Sequence, residues 1–155
     1  MLNLTKQENA WRSVIKFFTE NTNINAISGL KLVFDKGLPT PDVFKTSPPT
    51  VVKWLSINIE DYDEDIHTHM PLLVYVCTRQ DNEGFELARI RDILAAEFVD
   101  ETKTDGAKRI PIINSSNVVL TYMSCRRFTD SKNFDGPNGM KYKMVNIDLF
   151  WCGDV

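Results

Sequence analysis

Histidine is almost missing from this chain: only His67 and His69, two residues apart in one short span. A Ser–His or Cys–His dyad would therefore have to be built in that span or not at all. Cysteine is nearly as scarce. Cys77, Cys125 and Cys152 are odd in number, far apart and free of any C-x-x-C pair. That argues against a disulfide framework and a zinc knuckle, and fits a reducing compartment. No G-x-G-x-x-G, G-x-x-x-x-G-K-[ST] or G-x-S-x-G occurs, so the common phosphate loops and the nucleophile elbow are missing. No apolar run approaches the ~20 residues of a membrane span. Neither sign of charge dominates: 18 basic against 21 acidic residues leave a net −3, with no overall basic field to draw the chain to nucleic acid or anionic lipid. The opening MLNLTKQENAW has no basic stretch leading into an apolar one. No signal peptide is therefore expected, and the chain reads as a small intracellular domain.

What is present suits a single domain spanning residues 1–155, with enough length for one core and 43% apolar residues to fill it. Thr5-Lys6-Gln7-Glu8 has the spacing of a capping box. Trp11, Val14, Ile15 and Phe18 then follow at the i, i+3, i+4, i+7 positions of a helical stripe, which the asparagines at 21, 23 and 25 end. Leu30, Leu32 and Phe34 alternate with polar or smaller neighbours as a half-buried strand stopping at Gly37. Four prolines between 38 and 50 make the next stretch an extended connection. Leu55, Ile57 and Ile59 alternate as a second strand. MPLLVYVCT, apolar on both faces, reads as a central one. Asp81 or Asn82 caps a second helix with Leu87, Ile90, Leu94 and Phe98 as its buried stripe. RIPII adds a short strand, and 118–128 and 141–151 are two long strand-like runs. They are joined by TDSKNFDGPNG, a connection longer than a tight hairpin needs and expected to touch no core position. The expected fold is α+β, antiparallel hairpins packed with two helices, in the order α-β-β-β-α-(β)-β-β.

The span IEDYDEDIHTH concentrates five carboxylates between Glu60 and Asp65, with no Lys or Arg. Asp61, Asp63 and Asp65 match the first three ligands of a calcium loop, but that motif needs Gly sixth and Glu twelfth, where Ile66 and Leu72 stand. His67-x-His69 would need a third ligand, and no further histidine exists. The span is expected to be a solvated turn between two strands, binding no metal tightly. Cys77, in an apolar strand, reads as a buried small hydrophobe. Trp11, Trp54 and Trp151 read as core or interface aromatics. No catalytic, cofactor-binding or metal residues emerge.

Charge is informative in its distribution. From 126 to 143, Arg126, Arg127, Lys132, Lys141 and Lys143 face two acids, Asp130 and Asp135, while the 60–65 turn is wholly negative. In a ring built by head-to-tail contacts, one patch could meet the other at each interface. Asp61, Asp63, Asp65, Arg126, Arg127, Lys132, Asn133, Asp135, Asn138 and Lys141 are the interface candidates.

A capped helix, a strand ending in LVFDKG, a proline-rich approach to VVKWLSINIED, then MPLLVYVCT, the helix FELARIRDILAAEF and a final hairpin closing with KYKMVNIDLFWC resemble the tail terminator (tail completion, neck) proteins of tailed bacteriophages. The resemblance spans most of the chain and rests on element order and hydrophobic pattern. It implies a non-enzymatic virion subunit, assembled in the host cytoplasm, that forms a homo-oligomeric, hexameric ring. Such a ring caps the tail tube at its proper length, touching the tail-tube protein on one side and the head connector on the other. It implies no cofactor, no membrane and no sequence-specific nucleic acid. Two alternatives differ from it: a tail-tube or baseplate subunit, and a small metal-dependent enzyme using the Asp61/Asp63/Asp65/His67/His69 cluster.

Overall fold

The computed structural model describes residues 4–39, 51–60, 62–64, 68–99 and 108–152. The class is α+β. Helices α1 (Leu4–Glu20), α2 (Thr22–Asn25) and α3 (Phe85–Phe98) accompany strands β1 (Leu30–Phe34), β2 (Lys53–Ile59), β3 (Asp63–Glu64), β4 (Thr68–Thr78), β5 (Arg109–Ile113), β6 (Val119–Asp130), β7 (Phe134–Asp135) and β8 (Lys141–Trp151). They form one sheet in the order β1-β2-β4-β8-β6-β5, with β3 and β7 appended to β4 and β8. The expectation of hairpins throughout needs one correction. β1 pairs with β2 in parallel, Leu32 opposite Leu55, so these two strands are not a hairpin. The remaining ladders are antiparallel.

β4 is central, between β2 and β8, and alternation fills its inner face: Met70, Leu72, Val74 and Val76 are all buried. Opposite them in the register stand Leu149, Ile147, Val145 and Lys143 of β8. α3 lays Leu87, Ile90, Leu94 and Phe98 onto this face, the stripe its periodicity predicts. Its start is fixed by Asp81, whose carboxylate accepts from the Glu86 and Leu87 amides at 3.3 and 2.9 Å, while Gly84 turns at φ 75°. The N-cap position itself is Gly84, and Asp81, not Asn82, supplies the carboxylate that takes the first-turn amides.

α1 buries Ala10, Val14 and Phe18 and leaves Trp11 half-buried. It touches both outer strands of the sheet. The Ile113 amide of β5 donates to the Ser13 hydroxyl at 2.9 Å, and Trp11 and Phe18 meet Phe34 of β1 edge-on. Unpaired strand edges invite foreign strands, and here one helix shields the two of them. Pro111, which has no amide to offer, further blunts β5. α1 already includes Thr5, and the Glu8 carboxylate pairs with Arg12 one turn on. At the other end the asparagines act as the sequence suggests: the Asn25 amide donates to the Phe18 and Thr19 carbonyls, and Asn21 caps α2 through Ile24.

The outer face of the sheet is partly roofed. Chain reversal at Asp35 and Gly37 (φ 54° and 64°) brings the Gly37 amide onto Asn58 Oδ1 at 2.7 Å and its carbonyl onto the Ser56 hydroxyl. This accounts for β2 being buried on both faces. A second small core joins Trp54, Cys77 and Met140, with Tyr75 and Tyr142 against it. Burial pushes the Cys77 thiol well up and that of Cys125 to about 11. Thiolate is the reactive form. Only Cys152, exposed, is therefore expected to label rapidly with a maleimide or Ellman-type reagent in the native protein. Rapid native labelling of a second thiol, seen by mass spectrometry, would contradict this packing.

Candidate functional site

Of the candidates in the acidic span, Asp61 and Asp65, like His67, lie outside the described residues. Asp63 falls in β3, opposite His69 of β4. His69 points to the outer face, its Nδ1 3.6 Å from Asp148 Oδ1 and its ring stacked on Phe150 at 6.3 Å. Among the described residues no three His, Cys, Asp or Glu side chains are grouped to hold a metal ion. No helix among them is long and apolar enough to cross a membrane.

Of the cations of 126–143, Lys141 and Lys143 are paired with acids of the same segment, and Arg126 and Arg127 are exposed. Asp130 Oδ2 accepts from Arg91 Nε of α3 at 2.8 Å and from Lys143 Nζ at 3.2 Å. Asp135 takes Lys141 at 2.9 Å, and Lys132 sits over the Phe134 ring. This connection is not a bare solvated tip. β7 folds it back on β8, Phe134 stacks on Tyr142 at 5.3 Å, and the Ser131 amide donates to the Met144 carbonyl. Asn133 lies against Gly84, and Asn138 falls in a 3-10 turn, Pro137–Gly139. Met140 is in the second core.

These pairings have a pH signature. Burial pulls the Asp130 carboxyl up, but the hydrogen bonds and charges of Arg91 and Lys143 outweigh it and hold the group below the usual range. Glu97 is held low in the same way: burial raises it, and the Asn21 and Asn23 donors and the Lys108 charge lower it further. A depressed folded-state pKa contributes stability that is complete above the unfolded value of about 4 and is lost as pH falls through the folded one. Asp130→Asn is therefore expected to flatten the dependence of the urea midpoint on pH below about 4, relative to wild type. An unchanged acid limb would mean that the pairings contribute nothing.

The surface that does stay open is the β5–β6 hairpin. Val118, Val119, Leu120 and Tyr122 are 55, 46, 39 and 51% exposed, an apolar stretch at the start of β6. Scattered exposed apolar residues are ordinary, whereas a contiguous run marks a contact surface. Beside it β6 outruns β8. Pairing with β8 begins at Ser124, so Val119–Met123 have β5 on one side and, among the described residues, no strand on the other. Within the hairpin itself, from Lys108 to Thr129, the chain carries Lys108, Arg109, Arg126 and Arg127 and no carboxylate, while from other elements Glu20 lies with Ile110, Pro111 and Ile113, and Asp148 stands opposite Arg127 in the register. Arg109, Arg126 and Arg127 are exposed. Of the sequence candidates, Arg126 and Arg127 belong to this surface, and Lys132, Asp135 and Lys141 do not. Periodicity marked 118–128 as a strand but carries no sign of what covers it.

On the far flank, the ends of β1 and β2 and the first turns of α1 form an open recess of about 460 Å³. Trp11 and Ile59 give it apolar walls, and Asp35 and Glu60 line it together with Glu8, whose carboxylate is paired with Arg12. The acidic character noted in the sequence thus begins within a shaped surface.

No protein-family model and no curated relative matches the chain. Solved structures do match. One of them is 9% identical, aligned over 96% of this chain and 97% of its own, with a TM-score of 0.62. That likeness extends to the fold.

Proposed function

We propose that this chain is a structural virion subunit that closes into a ring on the tail tube of a tailed bacteriophage, ends tube growth and joins tail to head connector. The observation that carries the reading is the order and length of the elements, from the α1 stripe through LVFDKG and MPLLVYVCT to the closing hairpin, which resemble tail terminator proteins. The β5–β6 hairpin supports it, since an exposed apolar run at the start of β6 suits assembly better than it suits a monomer's surface. In this reading the chain is non-enzymatic, needs no cofactor, and works in the neck of the virion.

A tube subunit and a terminator differ in what they do to a growing tube. Purified tail-tube protein polymerised with this chain is expected to give tubes bearing it at one end and no longer able to elongate. Incorporation along the tube wall would make the chain a tube subunit instead.

A further inference from the structure

We propose that the open stretch of β6, Val119–Tyr122, takes up an extended segment of another protein as an added antiparallel strand, apolar at alternate positions and acidic at its N-terminal end. Such pairing needs no ring, so it holds or fails apart from the reading above. The main chain is oriented for it. The Ile113 amide of β5 turns away from β6 to reach Ser13, and alternation turns residue 111 the same way, a place where Pro111 needs no amide. Pro111 stands opposite Tyr122, and opposed residues of an antiparallel ladder either bond each other or both turn outward. The Tyr122 amide and carbonyl therefore point away from β5, to the side where β8 has ended at Trp151 and no described residue forms a strand. An edge of this kind gains a strand by main-chain pairing.

The edge is also unguarded. Sheets blunt their edges with charges, prolines or a covering helix, as α1 and Pro111 do for β5. Val119–Met123 carries no charge and no proline, and Val119, Leu120 and Tyr122 present exposed apolar side chains for cross-strand pairing. Charge then specifies the partner. Arg12, Arg79, Arg89 and Arg91 are held by Glu8, the Val51 carbonyl, Glu86 and Asp130. The side chains of Arg109, Arg126 and Arg127 have no hydrogen-bond or ion-pair partner among the described residues. Glu20, where α1 covers β5, and Asp148, 3.6 Å from His69, form no pair with them. Arg109 stands opposite Ser124, two residues or about 7 Å from Tyr122, at the end of the open stretch that adjoins Trp151. A strand antiparallel to β6 runs in the direction of β8, so its first residues lie at that end and meet the unpaired arginines. Apolar and main-chain contacts supply affinity, and the opposed charges select the partner.

Fluorescence anisotropy with the full chain tests this, using the labelled peptide Asp-Asp-Val-Thr-Val-Thr-Val and its counterpart Lys-Lys-Val-Thr-Val-Thr-Val. The acidic peptide is expected to bind, and the basic one to bind at least about tenfold more weakly. Arg109→Glu/Arg126→Glu, at two exposed positions, should reverse that preference. Tyr122→Pro removes the outward amide and should abolish binding, whereas Tyr122→Thr keeps the amide and should retain it. Circular dichroism checks that each variant is folded, and should Tyr122→Pro fail to fold, the charge inversion decides alone. No binding of the acidic peptide up to about 1 mM would overturn the proposal. Binding that survives in a folded Tyr122→Pro would mean a side-chain patch and no added strand, which also overturns it. Equal binding of the two peptides, or tighter binding of a short oligothymidylate than of either, would contradict the acidic strand as the partner. Peptide binding that vanishes as wild type assembles with itself would give the edge to a second copy and overturn the proposal.

Discussion

Phe18→Ala is expected to lower unfolding stability by ~3–5 kcal/mol, the range for a buried aromatic truncated to alanine. Phe18 is fully buried where the two helices and β1 converge. Its ring packs against Phe17, Phe34 and Phe98 at 5.4, 6.5 and 5.8 Å. These neighbours are held by α1, β1 and α3, whose backbones cannot collapse onto the vacancy together, so a cavity remains. Of a typical ~5–15 kcal/mol total, that loss is a large part. Urea unfolding followed by near-ultraviolet circular dichroism should show an early transition or none. Phe18→Leu, which keeps most of the volume, should cost less. A Phe18→Ala protein as stable as wild type would mean that α1 is a detachable interface helix and not a seal over the sheet.

The second large effect concerns the connection between β6 and β8. Replacing residues 131–139 by Asn-Gly is expected to cost about 3 kcal/mol, from a lost aromatic pair, lost main-chain hydrogen bonds and partial exposure of the second core. At this chain length that corresponds to roughly 6–12 °C in melting temperature. The replaced segment contributes the Phe134–Tyr142 stack, the Ser131 bonds to Met144 at 2.9 and 3.0 Å and the Gly136 amide bond to the Met140 carbonyl at 2.7 Å. At Gly136 a side chain would run into the end of Met140, so the segment lies directly on its neighbour. With it gone, Met140 and Trp54 lose part of their cover. Differential scanning calorimetry decides the matter. An unchanged melting temperature would restore the sequence reading of this segment as an expendable polar tip.

That reading failed for a definable reason. A polar sequence of turn residues looks the same whether it is solvated or folded back as a short third strand, and the contact with Tyr142 is set by tertiary packing. Asp130 shows the same limit. Its partner Arg91 is 39 residues away, on a helix whose placement no local pattern gives. The parallel β1–β2 pairing is likewise long-range, and the run of prolines between the strands signals an extended connection without stating which way it leads. By contrast, where burial is periodic the sequence suffices. Leu87, Ile90, Leu94 and Phe98 are the buried residues of α3, and MPLLVYVCT occupies the middle of the sheet. The acidic span was legible as an electrostatic feature and Arg126 and Arg127 as candidates, while the apolar start of β6 was legible only as a strand.

The central claim is that this chain completes itself by closing with copies of itself. The most direct measurement is the mass of the purified wild-type protein across a wide concentration range, by analytical ultracentrifugation with electron microscopy of the same samples. The account predicts one closed ring of fixed subunit number that does not grow as concentration rises. A monomer at every concentration, or filaments that lengthen with it, would contradict the account.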